Sequence, residues 1–335
     1  MRRRIGIAGF RGYSGAELVR ILSAHAGVEV VLMEHRHDAG ERPAPRGWDG
    51  PRRIPATPEA VSGEGLACVF LATPPEVSME LTRGFLEAGA KVVDLSGAFR
   101  LRTVENYKRW YKEEHTQPAL LAEAVYGLPE FFRSEIPSAR LISNPGCYPT
   151  AANLALRPLV DAGVIDHGAG IVCDAKSGVS GAGRKPSLKT SFCEVTENFS
   201  AYSILFHRHV PEVLMHSGID ERDFSFTAHL VPVDRGILET IYFRAKGVAS
   251  AADIVEVYKK RYLGEAFIRL YDPGQMPDLR AVARTNFCDL GVSFDPSTNR
   301  AVVVSCIDNL VKGAAGQAIQ NMNLALGLRE QEALA

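Results

Sequence analysis

Apolar and polar positions change their rhythm partway along this chain. Short apolar runs over residues 5–8, 28–33, 67–72, 91–95 and 141–143 predict strands, with longer amphipathic stretches between them. Residues 16–25 place Leu18, Ile21 and Leu22 on one helical face, and Val77, Leu81 and Phe85 recur at four-residue spacing. Strands alternating with crossover helices make βαβ units, so the first half predicts a parallel sheet. Residues 34–58, rich in Pro, Gly and Arg, show no periodicity and read as a loop.

Beyond residue 170 the pattern shifts. Residues 170–176, 224–233, 237–246, 267–271, 287–293 and 301–307 are strand-like, with fewer helical stretches among them. That predicts an α+β domain on a mixed, mostly antiparallel sheet, with a face or edge available for subunit pairing. A final helix carries Ala315, Ile319, Met322 and Leu326 as an apolar stripe suited to packing back onto the first domain.

Charge and cysteine content exclude several classes. The 38 basic and 39 acidic side chains leave a formal charge of −1, so nucleic acid has no electrostatic claim as the main partner. The basic opening is followed at once by Gly6, Gly9, Arg11 and Gly12, which leaves neither a signal peptide nor a membrane span and makes the cytoplasm the expected location. Six cysteines without a CxxC pair or zinc-type spacing argue against disulfides and a structural metal. Cys68, Cys173 and Cys306 sit in apolar runs and read as buried small hydrophobes, whereas Cys147 does not.

Residues 6–15, Gly-Ile-Ala-Gly-Phe-Arg-Gly-Tyr-Ser-Gly, follow the first strand and open the first helix. Glycines there let a diphosphate approach backbone N–H groups, and a helix N-terminus adds partial positive charge. Gly9, Arg11, Gly12, Tyr13, Ser14 and Gly15 are therefore candidate cofactor ligands of an α/β Rossmann nucleotide-binding domain. The spacing is GxxGxxG rather than GxGxxG, and a purely structural turn is the competing reading. After the second strand stands Glu34-His35-Arg36-His37, where Arg36 suits a 2′-phosphate and favours NADP over NAD, a solvated basic loop being the competing reading.

The sharpest signal is Ser143-Asn144-Pro145-Gly146-Cys147-Tyr148-Pro149-Thr150. A strand ends, Asn-Pro-Gly turns the chain, and Pro149 falls in a first helical turn ahead of Leu154, Leu156 and Leu159. Cys147 is thus expected at a helix N-terminus, where a nucleophilic thiolate is favoured. Downstream, Ser177-Gly178-Val179-Ser180-Gly181-Ala182-Gly183-Arg184 reads as a flexible loop offering donors and a cation to anionic groups. His207 and His209 alternate in His207-Arg208-His209-Val210-Pro211-Glu212, so that one could exchange protons with a reacting group and the other be scaffolding. His167, His216 and His229 lack such neighbours. Ser96 and Arg100 follow a strand's carboxyl end, where Arg100 suits a phosphate or carboxylate unless it is a salt bridge. Asn309, in a small-residue segment before the last helix, could bond a nicotinamide carboxamide.

Together these residues resemble the N-acetyl-gamma-glutamyl-phosphate reductases, an arginine-biosynthesis family of the semialdehyde dehydrogenase superfamily. The resemblance runs from Gly9 to Gln317. It rests on GYSGAEL at 12–18, LSGAFRL at 95–101, YGLPE at 126–130, SNPGCYPTA at 143–151, SGVSGAGR at 177–184, HRHVPE at 207–212, HLVPVDRGI at 229–237 and NLVKGAAGQA at 309–318. It implies an NADP(H)-binding Rossmann domain of residues 1–146 and 310–335 and a catalytic and dimerisation domain of residues 147–309. It implies reduction of N-acetyl-L-glutamyl 5-phosphate to the 5-semialdehyde and phosphate through a thioester on Cys147.

The acid–base falls on His207 or His209, with His209 preferred because Pro211 and Glu212 could orient it. Ser96, Arg100, Asn144, Ser177, Arg184 and Glu212 are the implied substrate contacts; Ser180, Gly181 and Asn309 join the cofactor contacts. The implied assembly is a homo-oligomer, dimer or tetramer. This chain has Ala98 where the family more often has Asp, and His35-Arg36 where Ser-Arg is frequent. Competing readings are a carrier-protein-linked aminoadipyl-phosphate reductase, a cofactor-independent cysteine acyltransferase and a non-catalytic dinucleotide sensor.

Overall fold

The computed structural model describes residues 2–35 and 50–334, so Arg36 lies outside the described residues. The chain divides into two compact units: Met1–Lys108, Lys112–Asn144 and Ala315–Ala335 form one, Arg109–Tyr111 and Pro145–Ala314 the other.

The first unit is built on β1 (Arg3–Ala8), β2 (Val28–Glu34), β3 (Arg52–Pro55), β4 (Cys68–Leu71), β5 (Lys91–Asp94), β6 (Val125–Tyr126) and β7 (Leu141–Ser143). Their order is β3-β2-β1-β4-β5-β7-β6, and every pairing is parallel. Ile5, Ile7, Val69 and Phe70 are fully buried, as central parallel strands covered on both faces require. Strand order reverses between β1 and β4, and doubly wound sheets bind ligands at the carboxyl ends of the strands beside such a reversal. The segment that follows Ala8 lies there.

Two readings of this unit are corrected. The first helix is Tyr13–Leu22 rather than 16–25: the turn at Gly12 starts it early, while Leu18, Ile21 and Leu22 are buried as the pattern requires. Within the supposed loop 34–58, Arg52–Pro55 pairs with β2 as an edge strand. Ile54 alone of its four residues is buried, so it carries no alternation to detect. The C-terminal helix Gly316–Ala325 packs in this unit through Ala318, Ile319 and Met322. Its Asn321 Nδ2 donates to Gly127 O and Asn144 Oδ1.

The second unit holds β8 (Ile171–Gly178), β9 (Ser200–Tyr202), β10 (Phe224–Val231), β11 (Ile237–Arg244), β12 (Ile268–Leu270), β13 (Cys288–Asp295) and β14 (Arg300–Ile307), in the order β12-β13-β14-β11-β8-β10-β9. β8 pairs with β10, and β12 with β13, in parallel; the other pairings are antiparallel. This is the mixed, mostly antiparallel sheet that the pattern predicts, with β9 as an unforeseen short edge. On the outward face Val172 and Tyr242 pair across β8 and β11 and are 45% and 44% exposed.

The helix Cys147–Asp161 lies on the inward face with Leu154, Leu156 and Leu159 buried. Pro158 stands inside it and cannot supply the N–H that would bond Leu154 O. The Tyr262 hydroxyl donates to that carbonyl instead. Tyr258 donates to Ala155 O, and Ser305 Oγ donates to Ala151 O at 3.0 Å. Side chains of the unit therefore hold the helix at three successive levels, which fixes where its first residue points.

Candidate active site

Cys147 is the first residue of that helix, after Gly146 in extended conformation at the N-cap. N–H groups of a first turn have no acceptor within the helix, and Pro149 has none to offer, so those of Cys147 and Tyr148 form the helix's electropositive end. Cys147 is half-buried, whereas Cys68, Cys173, Cys288 and Cys306 are buried. Burial pushes the Cys68 thiol up to about 12 and that of Cys173 well above its usual range, which makes both inert.

His207 and His209 are both buried, with ring centres 4.9 Å apart, but their environments differ. His207 Nδ1 accepts the His209 amide at 3.1 Å, which fixes the neutral tautomer protonated on Nε2. Burial and then the adjacent Arg208 charge hold His207 down to about 4. His209 Nε2 lies 2.8 Å, and Glu212 Oε1 3.0 Å, from the point a Cβ on Gly146 would occupy. Any residue but glycine at 146 would displace both. Glu212 is fully buried, and its Oε2 accepts the Gly146 amide at 2.9 Å.

Cys147, Tyr148, Ser177, His207 and His209 line one cavity of about 640 Å³ within the second unit. That volume lies in the range of small-molecule sites. Arg208 and Lys189 also line it. The Tyr148 and Tyr202 hydroxyls meet at 3.1 Å on its wall, and burial pushes both phenols up, so they remain neutral donors. Sequence reasoning missed Tyr148, Lys189, Tyr202 and Arg208. Tyr148 and Arg208 stood inside quoted motifs, whereas Tyr202 sits on β9, whose three residues gave no strand signal. No three His, Cys, Asp or Glu side chains gather as metal ligands among the described residues.

In the first unit, Gly9 has φ +77°, and a Cβ there would sit 2.3 Å from Ala72 O, so the loop lies close against the end of β4. Gly12 is the N-cap of the helix Tyr13–Leu22, and no side chain caps it by a hydrogen bond. A helix start without a side-chain cap behind a glycine turn, at the strand reversal, fits a dinucleotide's diphosphate. Glu34 ends β2 with its Oε1 bonded by Arg11 at 3.1 Å and Arg53 at 3.2 Å. Both guanidinium groups also lie over the Phe10 ring, at 4.8 and 5.6 Å. The acid that would receive a ribose 2′-hydroxyl is thus neutralised by two cations, which fits a 2′-phosphate. Arg53 was missed because β3 was.

Several predicted contacts have other partners. Arg100 is buried, with Nε donating to Asn144 O and Nη2 to Leu95 O, both at 2.8 Å. Ser96 donates to the buried Asp94 carboxyl through Oγ and its amide, while burial pushes that carboxyl up. The Asn144 amide accepts from Asn321. These bonds all lie within the first unit. Ser177 and Ser180 are buried in β8 and the turn after it, so that end of the segment 177–184 is rigid rather than flexible. Gly181 lines the cavity, and Arg184 is exposed away from its lining. Asn309 Oδ1 accepts Gly236 N at 2.7 Å and its Nδ2 donates to Ser180 Oγ at 3.0 Å, so its amide is held at both ends within the second unit.

The chain matches the semialdehyde dehydrogenase NAD binding domain over residues 4–139 and the semialdehyde dehydrogenase dimerisation domain over residues 147–309. It belongs to the semialdehyde dehydrogenase family. Among solved structures, aspartate semialdehyde dehydrogenase II of Vibrio cholerae, complexed with ASA, aligns over 98% of this chain and 99% of its own with TM-score 0.73 at 18% identity. The aspartate semialdehyde dehydrogenase of Candida albicans, with NADP, aligns over 97% and 98% with TM-score 0.71, also at 18% identity. Both share the fold.

The nearer relatives are more specific. A protein of Symbiobacterium thermophilum is 48% identical over 100% of this chain and 98% of its own length. One of Thiobacillus denitrificans is 45% identical over 99% and 97%. Both are named N-acetyl-gamma-glutamyl-phosphate reductase.

Proposed function

We infer that this chain reduces N-acetyl-L-glutamyl 5-phosphate to N-acetyl-L-glutamate 5-semialdehyde, releasing phosphate, with NADPH as reductant, in arginine biosynthesis. Full-length relatives of that name support the substrate over a carrier-linked aminoadipyl phosphate, and a nucleotide-binding domain argues against a cofactor-independent acyltransferase. The observation that carries the chemistry is a half-buried thiol at a helix start, in one cavity with two histidines.

The Cys147 thiolate attacks the acyl-phosphate carbonyl, the C–O bond to phosphate breaks, and a thioester forms. When bound, NADPH supplies the hydride that reduces this thioester. The Cys147 and Tyr148 N–H groups hold the oxyanion of the resulting thiohemiacetal. His209 gives that oxygen a proton and takes it back as aldehyde and thiolate separate. His207, held neutral and bonded to the backbone, orients its neighbour. Arg208 and Lys189, with Ser177, receive the anionic groups of the substrate. Gly9, Gly12, Tyr13, Ser14 and Gly15 hold the diphosphate.

The test is the phosphate-dependent reverse reaction, followed as NADPH formation. Acetylglutamate semialdehyde should outpace aspartate and aminoadipate semialdehydes, and Cys147→Ser should abolish turnover while NADPH binding persists. Acyl-phosphate reduction by Cys147→Ser would refute the scheme.

The working form we propose is a homo-oligomer that associates through the outward sheet face around Val172 and Tyr242. Both are exposed apolar side chains in the segment matching the dimerisation domain. Light scattering of Val172→Asp should then give a smaller species. The setting we propose is the cytoplasm; among the described residues no helix is long and apolar enough to cross a membrane.

A further inference from the structure

We propose that Phe206, backed by Trp110, recognises the N-acyl group of the substrate. This rests on the function proposed above and names the part of the site that selects an acylated amine. Both residues line the cavity that contains Cys147. Their rings stack with centres 4.7 Å apart and planes inclined by 21°. Trp110 is 5% exposed while Phe206 is 47% exposed, so Trp110 is the support and Phe206 presents the contact surface.

Neighbouring groups support the pair. The Arg109 guanidinium lies 5.1 Å from the Trp110 ring centre and is bound to Glu221 at 2.7 Å. The main chain beside Phe206 is tied as well: Leu205 N donates to Phe226 O and Phe206 N to Ser203 O, both at 3.2 Å. The backbone that carries Phe206 is therefore held before a ligand arrives, which lowers the ordering cost of a contact to its ring.

Three chemical features of the substrate match three features of the cavity. The acyl phosphate belongs at Cys147 and the histidines. The α-carboxylate belongs with Arg208 and Lys189, the cations of the lining. What remains is a neutral acetamide ending in a methyl group, and what remains of the wall is aromatic. Glu194 is the one carboxylate among the described lining residues, so a free α-ammonium would enter a mainly cationic space. Acylation removes that charge and adds a methyl for which the Phe206 face is the apolar counterpart.

The experiment measures kcat and KM in the phosphate-dependent oxidation of N-acetyl-, N-formyl- and N-butyryl-glutamate 5-semialdehyde. The intact enzyme should favour acetyl over formyl by about tenfold in kcat/KM, or 1.4 kcal/mol, the usual worth of one methyl in an apolar pocket. Phe206→Ala should raise KM for the acetyl compound about tenfold, erase the acetyl–formyl difference and improve the butyryl compound, with kcat within about threefold. Phe206→Leu should fall between. Trp110→Leu should weaken the discrimination in the same sense. An unchanged acetyl-to-formyl ratio in Phe206→Ala overturns the inference while leaving the function standing. No turnover of any of the three by the intact enzyme overturns the function itself.

Discussion

A carboxylate oxygen of Glu212 accepts the amide hydrogen of Gly146 at 2.9 Å, one residue ahead of the nucleophile. The same carboxylate and the His209 ring both reach the space that a Cβ on Gly146 would fill. One acid thus fixes the approach to the thiol and stands beside the imidazole that handles the proton. Glu212→Gln keeps an acceptor for Gly146 but puts an amide in place of the carboxylate beside the His209 ring, and its kcat should fall about tenfold in steady-state assays. Glu212→Ala leaves a buried N–H without its acceptor and should also cost about 1–3 kcal/mol of stability in urea unfolding.

The two histidines should separate cleanly. His209→Asn removes the proton carrier and should lower kcat by about 100-fold or more. His207→Gln retains an acceptor for the His209 amide and should cost only a few-fold. His207 also marks stability. Burial holds it down to about 4, below the ordinary imidazole value of 6.5, so between these limits the unfolded chain binds more protons and stability falls as pH falls. The slope should flatten in His207→Gln when unfolding free energy is measured from pH 7 to 4.

The placement of Cys147 at a helix start was legible because it is set by a short segment whose local physics is self-contained. Asn-Pro-Gly must turn and Pro149 must stand in a first helical turn, so the place of Cys147 follows from six adjacent residues. The bonds of Arg100 and Asn309 were not legible, for the opposite reason. Each reads as a ligand contact from its neighbours in sequence, and the protein partners it also holds, Asn144 and Leu95 for one, Gly236 and Ser180 for the other, include residues more than forty positions away. Trp110 is the extreme case: its partner Phe206 is in a distant segment, and no periodicity links them. The strand β3 was lost because a four-residue edge with one buried side chain has no pattern.

Cofactor choice should respond to the cluster at the end of β2. Arg11 and Arg53 both neutralise Glu34. Removing Arg53 exposes a carboxylate to the 2′-phosphate, so Arg53→Ala should raise KM for NADPH about tenfold. The same change leaves Glu34 able to accept a ribose 2′-hydroxyl and should leave KM for NADH unchanged or lower. Glu34→Gln should act the other way and sharpen the preference for NADPH. Initial rates with both dinucleotides give the ratio directly.

The nucleophile's helix contains its own weakness, and the remedy lies over a hundred residues away. Pro158 leaves the Leu154 carbonyl without a helical donor, in surroundings where Leu154 itself is fully buried. The Tyr262 hydroxyl is what satisfies it. Tyr262→Phe removes one oxygen and keeps the ring, which stacks at 6.2 Å on Tyr258. The loss is therefore that of a buried acceptor, about 1–3 kcal/mol, and should appear as a lower urea midpoint at unchanged m value. Pro158→Ala in the same background restores the helical N–H and should recover most of the loss. If Tyr262→Phe were as stable as the parent, the hydroxyl would not be replacing the bond that Pro158 cannot make.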